Sequence, residues 1–198
     1  MSKGILGDRE KALEDSYFRQ QDAKLLDSLR KGAALDEIAV ALSEKLQVDD
    51  PELLVRAREA GITAETAAAF LLAPLVQVAW AEGSVTKQER SAALRLAVER
   101  GVDSQSPAYS QLESWLDARP PDTLFEVASR VIQRGLSVLP PKERDERIDR
   151  ILHACHEVAA ASGSEVARLL GLGDGVSGTE ESILDSIAKS LRGFRSGD

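Results

Sequence analysis

The sequence is poor in the residues that most often carry chemistry. It has a single cysteine, Cys155, and two histidines, His153 and His156. One cysteine excludes an intramolecular disulfide and with it the cysteine framework of a small secreted domain, which fits a reducing compartment. So few histidines and thiols leave few of the usual general bases and nucleophiles, and no serine stands in a GxSxG motif and no HExxH pair is present. Aromatic residues make up 4% of the chain, and β-branched residues occur only in short runs, so strand formers are scarce. The opening MSKGILGDREK lacks an apolar stretch of signal-peptide length. The longest apolar run, Thr66 to Ala81, is interrupted by Pro74 and Gln77, is rich in Ala, and is shorter than a bilayer requires. These absences predict a cytoplasmic protein without a transmembrane segment, and one that is not an enzyme.

What remains is rich in Ala, Leu, Glu and Arg, the composition of helices. A length of 198 residues suffices for a hydrophobic core without staples, and a net charge of −8 repels phosphates and argues against nucleic acid as a partner. The expected fold class is all-α. Residues 8–31 form a charged segment with Leu13, Tyr17, Phe18, Leu25, Leu26 and Leu29 at helical spacing, and a second short helix is expected over Ala34–Leu46. Asp50 followed by Pro51 starts a helix that Gly61 ends. Thr63 is expected to cap an apolar helix that runs to about Glu82 with a kink near Pro74, apolar on nearly all sides and therefore central. Further helices start after Thr86, at Ser106-Pro107, at Asp122 after RPPD, and after Pro140-Pro141, the last stopping at Gly163. GLGDG, residues 171–175, is read as a turn, since no strand precedes it and no Lys-Ser/Thr follows. The final helix carries Ile183, Leu184, Ile187, Leu191 and Phe194.

Two stretches repeat a pattern. VAWAEG, residues 78–83, is followed by VTKQE, residues 85–89; VAAASG, residues 158–163, is followed after an insertion of about a dozen residues by VSGTE, residues 176–180. The chain therefore predicts two pseudo-repeated helical hairpins in a multi-helix bundle with an N-terminal amphipathic helix. Thr86-x-x-Glu89 and Ser177-x-x-Glu180 fit capping boxes, which need no ligand. EGSVTKQE also mimics the second half of a calcium-binding EF-hand loop, but Val78 and Trp80 stand where carboxylates belong. In HACHE, residues 153–157, Cys155 falls in the apolar stripe and His153 and Glu157 on the opposite side, so the three cannot converge on one zinc ion without another chain.

The repeated motif resembles the tellurite-resistance TerB family over roughly residues 52–191. That resemblance implies a helical, internally repeated domain over 48–198 acting through protein contacts, in a stress-response or membrane-linked complex, with a divalent metal at the repeat centre. By analogy the acidic positions are Glu82, Glu89 and Glu180. Two departures stand out: Glu82 occupies a position where the family usually has aspartate, and Ser162 stands where the second acidic residue would be. DREKALEDSYFRQQDAK, within the N-terminal segment 1–47, is similar to the start of the zeta-type inhibitor of rotary ATP synthases, which implies a regulatory inhibitor as the alternative. A hydrolase using the same three glutamates around a metal is a third reading.

The N-terminal stripe is narrow among many charges. A chain beginning at Val48 is expected to keep a single cooperative unfolding transition in urea. It is also expected to lose a protein partner that the full-length chain captures. Unfolding on removal of residues 1–47 would assign the segment to the core.

Overall fold

The computed structural model describes residues 50–163 and 176–193, together with Lys24. The N-terminal charged helix, the GLGDG turn and Phe194 lie outside the described residues. Among the described residues the fold is a bundle of helices without strands: α1 (Pro51–Glu59), α2 (Ala67–Phe70), α3 (Ala73–Ala79), α4 (Lys87–Glu99), α5 (Pro107–Asp117), α6 (Asp122–Ser137), α7 (Pro141–Ala161) and α8 (Gly178–Arg192). No helix among them is long and apolar enough to cross a membrane.

Four of the eight described helices start at a side-chain cap. Asp50 accepts hydrogen bonds from the amides of Glu52 and Leu53 at 3.1 and 3.2 Å, with Pro51 in the first turn where its missing N–H costs nothing. Ser106 caps α5 through the amide of Tyr109 at 3.2 Å, again ahead of a proline. The ends of α1 and α4 are set by Gly61 and Gly101, both at φ +85, the left-handed conformation that closes a helix cheaply only when no Cβ is present.

The apolar run does not form the single kinked helix the sequence predicts. It divides into α2 and α3, with Leu71 and Leu72 turning between them. In a continuous helix the ring of Pro74 would press on the carbonyl of Phe70, and its nitrogen could donate no hydrogen bond. The chain resolves this by ending α2 at Phe70 and placing Pro74 in the first turn of α3. Nor does Thr63 cap a helix: Thr63 and Thr66 exchange amide-to-hydroxyl hydrogen bonds at 3.0 and 3.3 Å in the turn ahead of α2. The helix also stops at Ala79, and a turn carries the chain through Trp80 and Glu82 to Gly83.

The central position does hold. Every residue of α3 except Gln77 is buried, and the helix packs against α4, α5, α6, α7 and α8. Around it α4 packs on α7 and α8 on both α6 and α7, while α1 lies on α6 and α2 on α5. The buried faces of α4 and α7 are rich in small residues, Ala92, Ala93 and Ala97 on one and Ala154, Cys155 and Ala159 on the other, which permits close helix approach. Trp80 donates its indole N–H to the carbonyl of Trp115 at 2.7 Å, tying the end of α3 to α5. Arg90 on α4 reaches both Glu113 and Asp117 of α5 at 3.1 Å.

Two glycines should respond oppositely to alanine. Gly101→Ala is expected to destabilise by about 1–2 kcal/mol because its φ is left-handed. Gly178, in the first turn of α8 with open space where a Cβ would lie and no positive φ, should gain about 0.4–1 kcal/mol as alanine. Urea denaturation of the two variants measures both signs.

Candidate functional site

The starts of α4 and α8 share one local design. Thr86 accepts from the amide of Glu89 at 3.2 Å, and Glu89 Oε2 accepts from the amide and hydroxyl of Thr86 at 2.7 and 2.8 Å. Ser177 accepts from the amide of Glu180 at 3.2 Å, and Glu180 Oε2 accepts from the amide of Ser177 at 2.7 Å. Both are complete capping boxes, as the spacing predicts.

Burial is what the capping motif does not require. A capping glutamate ordinarily stands in water, yet Glu89 is 2% exposed and Glu180 1% exposed, the only charged residues in the described interior. Oε1 of Glu180 is enclosed and has no hydrogen-bond partner. Burial raises the Glu180 carboxyl above its ordinary range. The backbone and hydroxyl of Ser177 pull the other way, and the negative charges of Glu89 and Glu82 push it further up.

The charges of Glu82 and Glu89 are thus felt at Glu180. Glu82 stands exposed in the turn after α3, while Glu89 and Glu180 are enclosed at two helix N-termini, where the helix dipoles favour negative charge. Among the described residues no three His, Cys, Asp or Glu side chains are arranged as a ready metal-ligand set. Glu82, Glu89 and Glu180 therefore do not form such a set; Glu89 has one oxygen engaged by Thr86, and Glu180 has one engaged by Ser177 and the other enclosed without a partner.

HACHE divides as the helical spacing predicts. Cys155 is fully buried and its thiol is pushed up to about 12 by desolvation, with the charge of Arg100 opposing, so it stays protonated. His153 is exposed and lies 3.5 Å from Glu157. Glu157 also receives Arg95 of α4 at 3.2 Å, an inter-helix contact no local spacing announces.

Compared with protein-family models, with curated proteins and with solved structures, the chain matches none.

The raised carboxyl of Glu180 has a pH signature. A carboxyl whose folded value lies above its unfolded value, about 4.3, contributes its full stability below the unfolded value and loses it as pH rises through the folded one. Glu180→Gln retains an acceptor for Ser177 and cannot ionise. Its stability relative to wild type should therefore rise as pH increases from about 4 and level off above the folded value. Urea midpoints at several pH values measure this, and a difference independent of pH would contradict it.

Proposed function

We propose that the chain is a non-enzymatic, TerB-like helical module that acts through protein contacts, with a divalent cation bound where the two pseudo-repeated hairpins meet. The observation that carries the cation is the enclosed, unpartnered Oε1 of Glu180, a buried carboxylate that feels the negative charge of the second buried glutamate, Glu89. Buried carboxylates that feel one another's charge repel, and a cation between them would remove both that repulsion and the unmet acceptor. The donors are hard oxygens, suited to magnesium, manganese or calcium. Magnesium in particular is commonly held by one or two carboxylates with water completing its shell, which accords with a pair in place of a full protein cage.

The repeat reading draws support from the matched geometry. α3 leads through the Gly83 turn to the Thr86–Glu89 box, and α7 leads, past residues outside the description, to the Ser177–Glu180 box. Setting the two boxes in one electrostatic neighbourhood is what a two-fold pseudo-symmetric arrangement would do with a repeated motif. Stress-response or membrane-linked assembly follows from the TerB resemblance.

Magnesium, manganese, calcium and zinc, each at about 100-fold excess over its dissociation constant, are the test. Binding only to the folded state would stabilise it by about 2.7 kcal/mol, or roughly 5 °C or more in melting temperature. At least one cation should produce this shift in wild type and neither Glu89→Gln nor Glu180→Gln should show it. A melting temperature unmoved by all four would leave capping as the whole role of the pair.

A further inference from the structure

A cavity of about 660 Å³ opens between α2, the end of α4, α6 and α7, remote in character from the glutamate pair. Its apolar lining comes from four places in the chain: Leu71 and Leu72 after α2, Val102 beyond the Gly101 turn, Ile132 and Leu136 on α6, and Ile151 on α7. Ile132 and Leu136 belong to the buried core, so the cavity reaches inward to it. The volume lies within the ~300–1,000 Å³ typical of small-molecule sites. It suits one extended apolar chain better than a docked helix, whose diameter with side chains is about 10–12 Å.

The mouth has the opposite character. Arg100, Arg147, Arg150 and His153 surround it, in a protein of net charge −8. Arg147, Arg150 and His153 recur every three residues along α7 and so lie on neighbouring positions of one helix face. The guanidinium groups of Arg100, Arg147 and Arg150 have no carboxylate to answer. Among the described residues the side chain of Arg147 has no hydrogen bond or ion pair, that of Arg100 donates only to the carbonyl of Leu96 at 3.1 Å, and that of Arg150 only to the carbonyl of Glu146 at 3.2 Å. Elsewhere Arg56, Arg90, Arg95, Arg119 and Arg192 each hold a carboxylate within 3.2 Å. The one acidic residue lining the cavity, Glu99, is engaged by Arg95 at 2.7 Å, and Glu157, near His153, is engaged by the same arginine at 3.2 Å.

The geometry points to a binding site for a single-chain aliphatic carboxylate of the fatty-acid class, its chain in the apolar cavity and its headgroup on Arg147, Arg150 and Arg100. The planar guanidinium fork matches a carboxylate in two parallel hydrogen bonds, which a point charge would not do. The net negative charge of the chain disfavours anions in general, so binding here rests on the local arginine cluster. The site is independent of the cation reading above, since it shares no residue with Glu82, Glu89 or Glu180.

Isothermal titration of the full-length chain with dodecanoate, below its micelle concentration, tests the inference. One equivalent should bind. Acetate, the headgroup alone, and dodecyltrimethylammonium, the same chain with a cationic head, should not. The doubly substituted Arg147→Gln/Arg150→Gln protein should keep the wild-type melting temperature, because both side chains are exposed, and should bind dodecanoate about tenfold or more weakly. Ala68→Phe, which places a ring at the cavity wall, should abolish binding. The site is overturned if dodecanoate does not bind, binds at several equivalents, binds no better than dodecyltrimethylammonium, or binds the Arg147→Gln/Arg150→Gln protein as it binds wild type.

Discussion

A seven-residue helix closes too few backbone hydrogen bonds to persist alone in water, so α3 exists only because five other helices surround it. Its sequence is written for that position: Ala73, Leu75, Val76, Val78 and Ala79 are all buried, and Pro74 lies in the first turn where it breaks nothing. Because α3 has no solvent face to spare, α4, α6, α7 and α8 must each present an apolar stripe to it or to one another. The stripes on α6 and α7 meet that demand with Leu124, Ala128, Val131 and Ile132 on one and Ile148, Cys155 and Val158 on the other. The small residues on α4 and α7 follow from the same requirement, since bulky side chains there would hold the two helices apart.

Packing α3 on all sides also brings the start of α8 toward the turn that follows α3. α8 contacts α3, α6 and α7, and its capping box is carried inward with it. The glutamate of a helix cap thereby becomes a core residue. Two carboxylates that would be unremarkable on a surface are enclosed, and burial together with the charges of Glu89 and Glu82 raises Glu180. The chemistry of the candidate site is in this sense a consequence of the central helix.

Local rules made most element starts and stops legible. Asp50-Pro51, Ser106-Pro107, both hydroxyl-x-x-Glu motifs and the glycines at 61 and 101 act over one turn of chain, so they can be read without knowing the fold. The division of the apolar run at Leu71 and Leu72 was harder, because a proline inside an apolar helix permits either a kink or a restart, and the surrounding helices select between them. Tertiary features left no local trace. Nothing in VTKQE or VSGTE says that their glutamates are enclosed, the contacts of Arg90 and Arg95 join residues distant in sequence, and the cavity mouth draws arginines from two helices. The spacing of Arg147, Arg150 and His153 was visible, but an arginine row on a helix is ordinarily a solvated face, and only the missing carboxylates distinguish this one.

Capping alone does not explain why residue 180 is an acid. The amide of Ser177 needs one acceptor, which Oε2 provides, and a glutamine oxygen could serve as well. The second oxygen is then a liability: an enclosed acceptor left unmet costs about 1–3 kcal/mol, more when it is charged. Two agents can relieve it in place, a proton or a cation. A proton satisfies Glu180 by itself and gives Glu89 no counter-charge, whereas a divalent cation neutralises both groups and turns their repulsion into a shared attraction. The acid at 180 has its clearest physical use if the helix cap is also half of the proposed ion site, with Glu180 spending one oxygen on the backbone of Ser177 and leaving the other for the ion.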